Sequence, residues 1–323
     1  MKAAFAGSFS RELVRPTKNR LRIPCEIVEE DETDIIPLLV DADVLVSMSF
    51  TREMADAAPK LKLLQVPGAG IDRVDRSAVR PGTSVSNVYG HETGIAEYVI
   101  GSMIALSRSF LHLDKELRLG KWDSQWAVDS PAPPLMPELS GKTVAILGYG
   151  HIGEAVARRA SAFGMKVTAI RRTVSGPPPE PLVRLEKIEM IDSILSEADF
   201  VVVTLPLTAD TKGLLNAARL SRMKPEAYLI NVARAAIADE QALFEALSRK
   251  LIAGAALDVW YRYPKDANPT LPSTFPFHEL SNVLLSPHAS GWTDGMLSAR
   301  ADLIAQNIER TARGDLPQNL VAA

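Results

Sequence analysis

Apolar positions along this chain fall into two kinds of run, which alternate almost from end to end. Short β-branched or aliphatic runs stand at 2–6 (KAAFA), 43–47 (DVLVS) and 61–66 (LKLLQV), separated by helical or irregular stretches. Strands that alternate with helices predict βαβ units and a parallel sheet. Residues 92–119 follow another rule: apolar residues recur at three and four, which predicts one long, largely buried helix. The alternation then restarts. Helix 152–163 leads to MKVTAI (165–170), helix 187–197 to FVVVTLP (200–206) and helix 217–222 to AYLINVA (227–233). Helix 239–249 leads to AGAALDV (253–259), and NVLLSPH (282–288) closes the series. Strands this apolar on both faces are covered by helices on both sides. A last helix, 294–313, carries an apolar stripe and ends at Arg313-Gly314, a basic turn followed by a stop signal.

One strand–helix junction carries chemistry. In VAILGYGHIG (144–153) an apolar run stops at Gly148-Tyr149-Gly150-His151-Ile152-Gly153 and a helical pattern follows. In that context GxGxxG predicts a dinucleotide site. Gly148 allows the tight turn, Gly150 lets the backbone approach a pyrophosphate, and Gly153 lets helix and strand pack closely. Phosphate charge then lies against the first amides of the helix. Ligands of such sheets bind beyond the carboxyl ends of the strands, which singles out Pro206, Arg234, Asp258 and His288. The planar fork of Arg234 suits a carboxylate; the plainer reading is a surface arginine at a strand end. His288 alone among five histidines combines a strand end with a small-residue loop, where it could pass a proton near neutral pH. Asp258 could accept a hydrogen bond from a cofactor amide, or cap the following turn. There is no GxSxG nucleophile elbow for a hydrolase, and the histidines are too scattered for a metal site.

Composition narrows the class. A length of 323 residues suits two domains. A net charge of -3 suggests neither a nucleic-acid surface nor a polybasic anchor. The single cysteine, Cys25, excludes an internal disulfide and a cysteine metal cluster. No apolar run reaches the length of a membrane span, and MKAAFAGSFS lacks the core of a signal peptide. A cytoplasmic setting is expected.

Seven blocks, in order, resemble the D-isomer-specific 2-hydroxyacid dehydrogenase family over nearly the whole chain. They are LLQVPGAGIDRVD (63–75), GHETGIAEYVIGSMIAL (90–106), ELSGKTVAILGYGHIG (138–153), TLPLTADTKGLL (204–215), LINVARAAIADEQAL (229–243), AGAALDVW (253–260) and SPHASGWT (286–293). The resemblance implies an α/β fold of two doubly wound parallel-sheet domains, Rossmann-like and flavodoxin-like, with a cleft between them. Residues 1–97 plus 291–323 would form a discontinuous substrate-binding domain, and 98–290 the NAD(P)-binding domain. The implied activity is hydride transfer between NAD(P)H and a small 2-oxo or D-2-hydroxy acid. The implied assembly is a homodimer joined through the cofactor domain, with no nucleic-acid or membrane partner and no metal. By motif match Arg234 would grip the substrate carboxylate and polarise the 2-oxo group, and His288 would be the acid/base. The backbone of Ala69 and Gly70 would bind the carboxylate, and Asp258 would orient the nicotinamide carboxamide. Leu205, Pro206, Val232 and Ala233 would line the cofactor beside Gly148, Gly150, His151, Ile152 and Gly153.

Two departures from the family pattern matter. The family places a glutamate just before a proline after this DVW-like block; here the run is Asp258-Val259-Trp260-Tyr261-Arg262-Tyr263-Pro264. That glutamate hydrogen-bonds the histidine and favours its charged form. A neutral phenol orients the ring but adds little charge, so weaker 2-oxo acid reduction at neutral pH or a different substrate is expected, unless Glu279 or another carboxylate takes the role. The second departure concerns the cofactor. NAD users carry an acidic residue at the end of the second strand; here MKVTAI runs into Arg171-Arg172-Thr173. Two arginines cannot accept hydrogen bonds but can bind a 2′-phosphate, so NADP is expected over NAD. A dinucleotide-sensing, low-activity binding protein of the same fold is the alternative. Substrate width would depend on residues such as Met48, Phe50 and Trp292.

Overall fold

Each strand predicted from an apolar run forms, and the strands pair parallel in two sheets. The computed structural model describes residues 1–129, 131–264 and 266–321. The chain divides into two compact units, Met1–His91 with Trp292–Ala323, and Glu92–Gly291.

The first unit contains β1 (Lys2–Ala6), β2 (Glu26–Glu30), β3 (Val44–Ser47), β4 (Leu63–Gln65) and β5 (Ser84–Ser86), in the order β2-β1-β3-β4-β5. This is a doubly wound arrangement with its reversal at β1 and β3. Alternation along β1 builds two layers. Ala4 and Ala6 join Leu45, Leu64 and Met54 on one face. Ala3 and Phe5 join Val44, Val46 and Leu63 on the other, where Ile304 and Ile308 of the helix Asp294–Arg313 cover them. That helix spans the predicted range. The Thr293 hydroxyl caps it by accepting from the Met296 amide, and Gly314 ends it in the left-handed conformation (φ 79°). Strands β2 and β5 escape a reading by apolar runs. EIVEE has no fully buried position, and SVS is three residues long.

The second unit contains β6 (Thr143–Leu147), β7 (Lys166–Ile170), β8 (Arg184–Glu186), β9 (Phe200–Val203), β10 (Tyr228–Asn231), β11 (Gly254–Leu257) and β12 (Val283–Leu285). Their order is β12-β11-β10-β9-β6-β7-β8. The winding reverses between β6 and β9, which places a ligand crevice at their carboxyl ends. Val144 and Ile146 pack with the helices Glu92–Ser107 and His151–Ala162 on one face. Ala145 and Leu147 pack with Ile194 and Leu243 on the other.

One expectation is corrected. Residues 92–119 do not form a single buried helix. The helix Glu92–Ser107 ends, Ser109 turns left-handed (φ 49°), and a separate helix Phe110–Arg118 follows with no buried residue. Phe110, Leu111, Leu117 and Leu119 are exposed, as are Trp122, Trp126, Val128 and Leu135 beyond them. Helical periodicity finds an apolar face but does not say what covers it. Among the described residues no helix is long and apolar enough to cross a membrane.

Candidate active site

Register places the chemistry. Asn231, Leu257 and Leu285 are aligned across β10, β11 and β12. Arg234, Asp258 and His288 follow within three residues of these strand ends, so three neighbouring parallel strands present them at one edge of the sheet. Asn231 shapes the first turn: its Oδ1 accepts from the Ala233 amide at 3.1 Å and its Nδ2 donates to the Arg234 carbonyl at 3.1 Å. Arg234 Nη1 donates to the Ala233 carbonyl at 2.8 Å, which orients the guanidinium.

Tyr263 reaches His288. Its hydroxyl lies 2.8 Å from His288 Nδ1 and accepts from the Trp260 amide at 3.3 Å. The tryptophan anchors this turn by donating Nε1–H to the Ser286 carbonyl at 2.7 Å. Glu279 forms its ion pair with His278, 3.8 Å away. The His288 ring keeps an exposed edge, yet burial of the rest of it holds its pKa below the ordinary histidine value; Arg234 pushes the same way and Asp258 opposes both. Burial pushes the Tyr263 phenol up, so it remains neutral across the range in which histidine titrates. A neutral phenol can donate to or accept from Nδ1.

His288 sits at φ 57°, in the left-handed region. Asp258, wholly buried, ties down the chain on both sides of it. Its Oδ1 accepts from Ser286 Oγ at 2.6 Å and the Ala289 amide at 2.8 Å. Its Oδ2 accepts from Ser290 Oγ at 2.5 Å and the Ser290 amide at 3.1 Å. The Tyr98 and Ser286 hydroxyls are 2.7 Å apart, extending this network to the helix Glu92–Ser107. Reading by strand ends missed Asn231, Ser286, Ser290 and Tyr98. Small polar residues carry no motif, and only the fold brings them to the carboxylate.

The glycine loop occupies the switch point. Gly148 has φ 109°, and a Cβ there would meet the Leu205 amide nitrogen at 2.8 Å and the Thr204 carbonyl carbon at 2.9 Å. Thr204 Oγ1 donates to the Gly148 carbonyl at 2.5 Å, joining the β9 end to the loop. A Cβ at Gly153 would overlap the Gly148 carbonyl oxygen. At Gly150 a Cβ would meet nothing within 4 Å, leaving that backbone face open above the first-turn amides of His151, Ile152 and Gly153. The three glycines thus fit a pyrophosphate for three separate reasons. Arg171, Arg172 and Thr173 are exposed just past β7, and the Arg171 amide donates to the Glu186 carbonyl at 2.9 Å. Glu186 itself pairs with Arg184 at 3.0 Å. Leu205 is half-buried and Pro206 exposed beyond β9, while Val232 and Ala233 are buried beyond β10. In the first unit, Ala69 and Gly70 lie past β4, where Asn87 Nδ2 donates to the Ala69 carbonyl at 2.9 Å.

Residues 100–290 match the family model for the D-isomer specific 2-hydroxyacid dehydrogenase, NAD binding domain. The chain is 33% identical over 326 residues to a glyoxylate reductase of Thermofilum pendens, covering 97% of this chain and 93% of that one. It is 35% identical over 310 residues to a glyoxylate reductase of Thermococcus onnurineus, covering 91% and 88%. An acyclic imino acid reductase solved with NADPH and D-Arg superposes with a TM-score of 0.80 at 26% identity over the whole of both chains.

Proposed function

The chain belongs to the D-isomer specific 2-hydroxyacid dehydrogenases, NAD(P)-dependent oxidoreductases, and from that premise we propose an NADP-preferring reductase of small 2-oxo acids, glyoxylate and hydroxypyruvate among them. The observation that carries the reading is the presentation of Arg234 and His288 at the carboxyl ends of β10 and β12, the two strands that flank β11, with Tyr263 on His288 Nδ1 and the glycine loop at the switch point of the same sheet.

The residues then divide the chemistry between them. The guanidinium of Arg234 pairs with the substrate carboxylate and draws electron density from the 2-oxo group. The Ala69–Gly70 backbone is assigned to the same carboxylate by its motif. His288, as imidazolium, gives the proton to the 2-oxygen; in the reverse direction neutral His288 removes it. When bound, the reduced nicotinamide supplies the hydride to the 2-carbon. Gly148, Gly150 and Gly153 with the amides of His151 and Ile152 hold the pyrophosphate, Leu205, Pro206, Val232 and Ala233 line the cofactor, and Arg171, Arg172 and Thr173 hold the 2′-phosphate. The eight exposed apolar side chains between Phe110 and Leu135 support a homodimer through the second unit.

The test is turnover of a 2-oxo acid panel with NADPH and with NADH, in the native protein and in His288→Ala and Arg234→Ala. The reading expects lower KM for NADPH, loss of kcat in His288→Ala and a raised substrate KM in Arg234→Ala. Tight NADPH binding without turnover of any panel member would favour the dinucleotide sensor, which Tyr263 and the depressed His288 pKa keep as the second reading.

A further inference from the structure

We infer that Glu240 is a positioning residue for the acid/base group: it fastens the loop 261–274 to the start of the helix Glu240–Ser248 and so holds Tyr263 against His288. The loop has little packing of its own. Its described residues from Arg262 to Leu271 are all exposed, so its course is set where its two ends are tied. Both ends are tied to one place. The Tyr261 hydroxyl donates to the Ala238 carbonyl at 3.0 Å. At the other end a single oxygen, Glu240 Oε1, accepts from Ser273 Oγ at 2.7 Å, the Thr274 amide at 2.9 Å and Thr274 Oγ1 at 3.0 Å. The Arg262 amide donates to the Pro272 carbonyl at 2.9 Å and draws the two ends together. Tyr263 comes next, its hydroxyl 2.8 Å from His288 Nδ1.

Glu240 is suited to the task by where it stands. Asp239 caps the helix by accepting from the Ala242 amide at 2.8 Å, which fixes the first turn and Glu240 with it. An anion in that turn is favoured by the helix dipole. Burial pushes the Glu240 carboxyl up, but the Ser273 and Thr274 donors and the nearby Arg262 charge outweigh it and hold the group below its ordinary value. It is therefore ionised near neutral pH, and hydrogen bonds to an ionised acceptor are the stronger kind. Phe244, one turn on, stacks on Phe275 and meets Phe277 edge-on. Phe277 in turn meets Trp260 edge-on, and the Trp260 amide donates to the Tyr263 hydroxyl. The short segment 234–240 thus carries Arg234 and also holds the loop that reaches the histidine. A neutral phenol gives His288 geometry rather than charge, and geometry is what Glu240 supplies.

His288 as the acid/base group is the premise, and the readouts separate it from the claim for Glu240. Glu240→Ala, Glu240→Gln, Tyr263→Phe and Glu240→Ala combined with Tyr263→Phe are compared with the native protein. The readouts are 2-oxo acid kcat at a pH below every His288 midpoint, NADPH affinity by fluorescence, and titration of the His288 ring by NMR. Arg234 and Asp258, the charged groups that act on the ring, are left in place throughout. Glu240→Ala is expected to lower kcat on the order of tenfold through misplacement of Tyr263 and the ring, with NADPH affinity unchanged. It is also expected to raise the ring's midpoint toward the ordinary histidine value, because a loosened loop uncovers the ring and burial is what holds the midpoint down. Glu240→Gln keeps one oxygen for the three donors and should recover most of kcat. In the Tyr263→Phe background Glu240→Ala should cost little more, since the contact it acts through is gone. Losses that multiply in the combined variant, or a Glu240→Ala midpoint equal to the native one, would overturn the inference. If Glu240→Ala does not fold, Ser273→Ala combined with Thr274→Val removes the two hydroxyl donors from the loop side and is held to the same kcat and midpoint outcomes. Full turnover in His288→Ala would instead refute the acid/base reading, and the NMR midpoint would still judge Glu240.

Discussion

Replacing Tyr263 with glutamate restores the anion that the family pattern places beside the histidine. The hydroxyl of Tyr263 is 2.8 Å from His288 Nδ1, so a carboxylate on the same turn comes within reach of the ring. An opposite charge at about 4–6 Å raises a histidine pKa by about 1–3 units. Tyr263 is 47% exposed, and solvent screening at such a site selects the low end, about one unit. Burial already holds His288 below its ordinary value, so the sign is clear. Reduction needs imidazolium: its rate is full below the His288 pKa and falls as pH rises through it. Raising that pKa in Tyr263→Glu moves the fall to higher pH, and above both midpoints reduction gains about tenfold. Oxidation needs the neutral ring, so below both midpoints it loses about the same factor. The assay is kcat/KM for 2-oxo acid reduction and 2-hydroxy acid oxidation across pH, with Tyr263→Phe as the control that removes the hydroxyl without adding charge. The coupling argument fails if the midpoints of Tyr263→Glu and the native protein coincide.

Three further outcomes are expected. Arg171→Ala combined with Arg172→Ala should erase the preference for NADPH, since each charge-assisted hydrogen bond to a phosphate is worth about 1.5–3 kcal/mol; equal KM ratios before and after would reject the clamp. Gly153→Ala should cost about 1–3 kcal/mol of stability and weaken dinucleotide binding, because its methyl overlaps the Gly148 carbonyl oxygen; denaturant melts and fluorescence titration measure both. If the proposed homodimer forms through this face, Trp126→Glu with Leu119→Glu should give a monomer in light scattering without moving the circular dichroism spectrum, since both side chains are exposed; a native protein that is already monomeric would refute the proposed dimer.

The legible part of the site is the part that announces itself at strand ends. Arg234 and His288 follow apolar strands directly, and GYGHIG stands between a strand and a helix, so local order alone located them. Tyr263 was legible as a departure, but its bond to His288 was not, because the intervening segment contains no signal of how it folds back. Asp258 was legible as a strand-end acid with two open roles. Its four donors come from residues 286–290, nearly thirty positions away, and no spacing rule connects them. The helix 92–119 shows the converse limit: periodicity is right for both halves, yet the second half faces solvent.

By itself the sequence determined the fold class, the dinucleotide loop and the strand-end pair, because apolar periodicity, glycine geometry and strand polarity are local properties of the chain. Only the tertiary structure decided that Tyr263 meets His288, that Asp258 accepts hydrogen bonds from the loop 286–290, and that apolar side chains such as Phe110, Leu117, Trp122 and Trp126 are exposed. These depend on which distant segments the parallel sheet brings side by side, and register across β10, β11 and β12 is set by packing on both faces of the sheet.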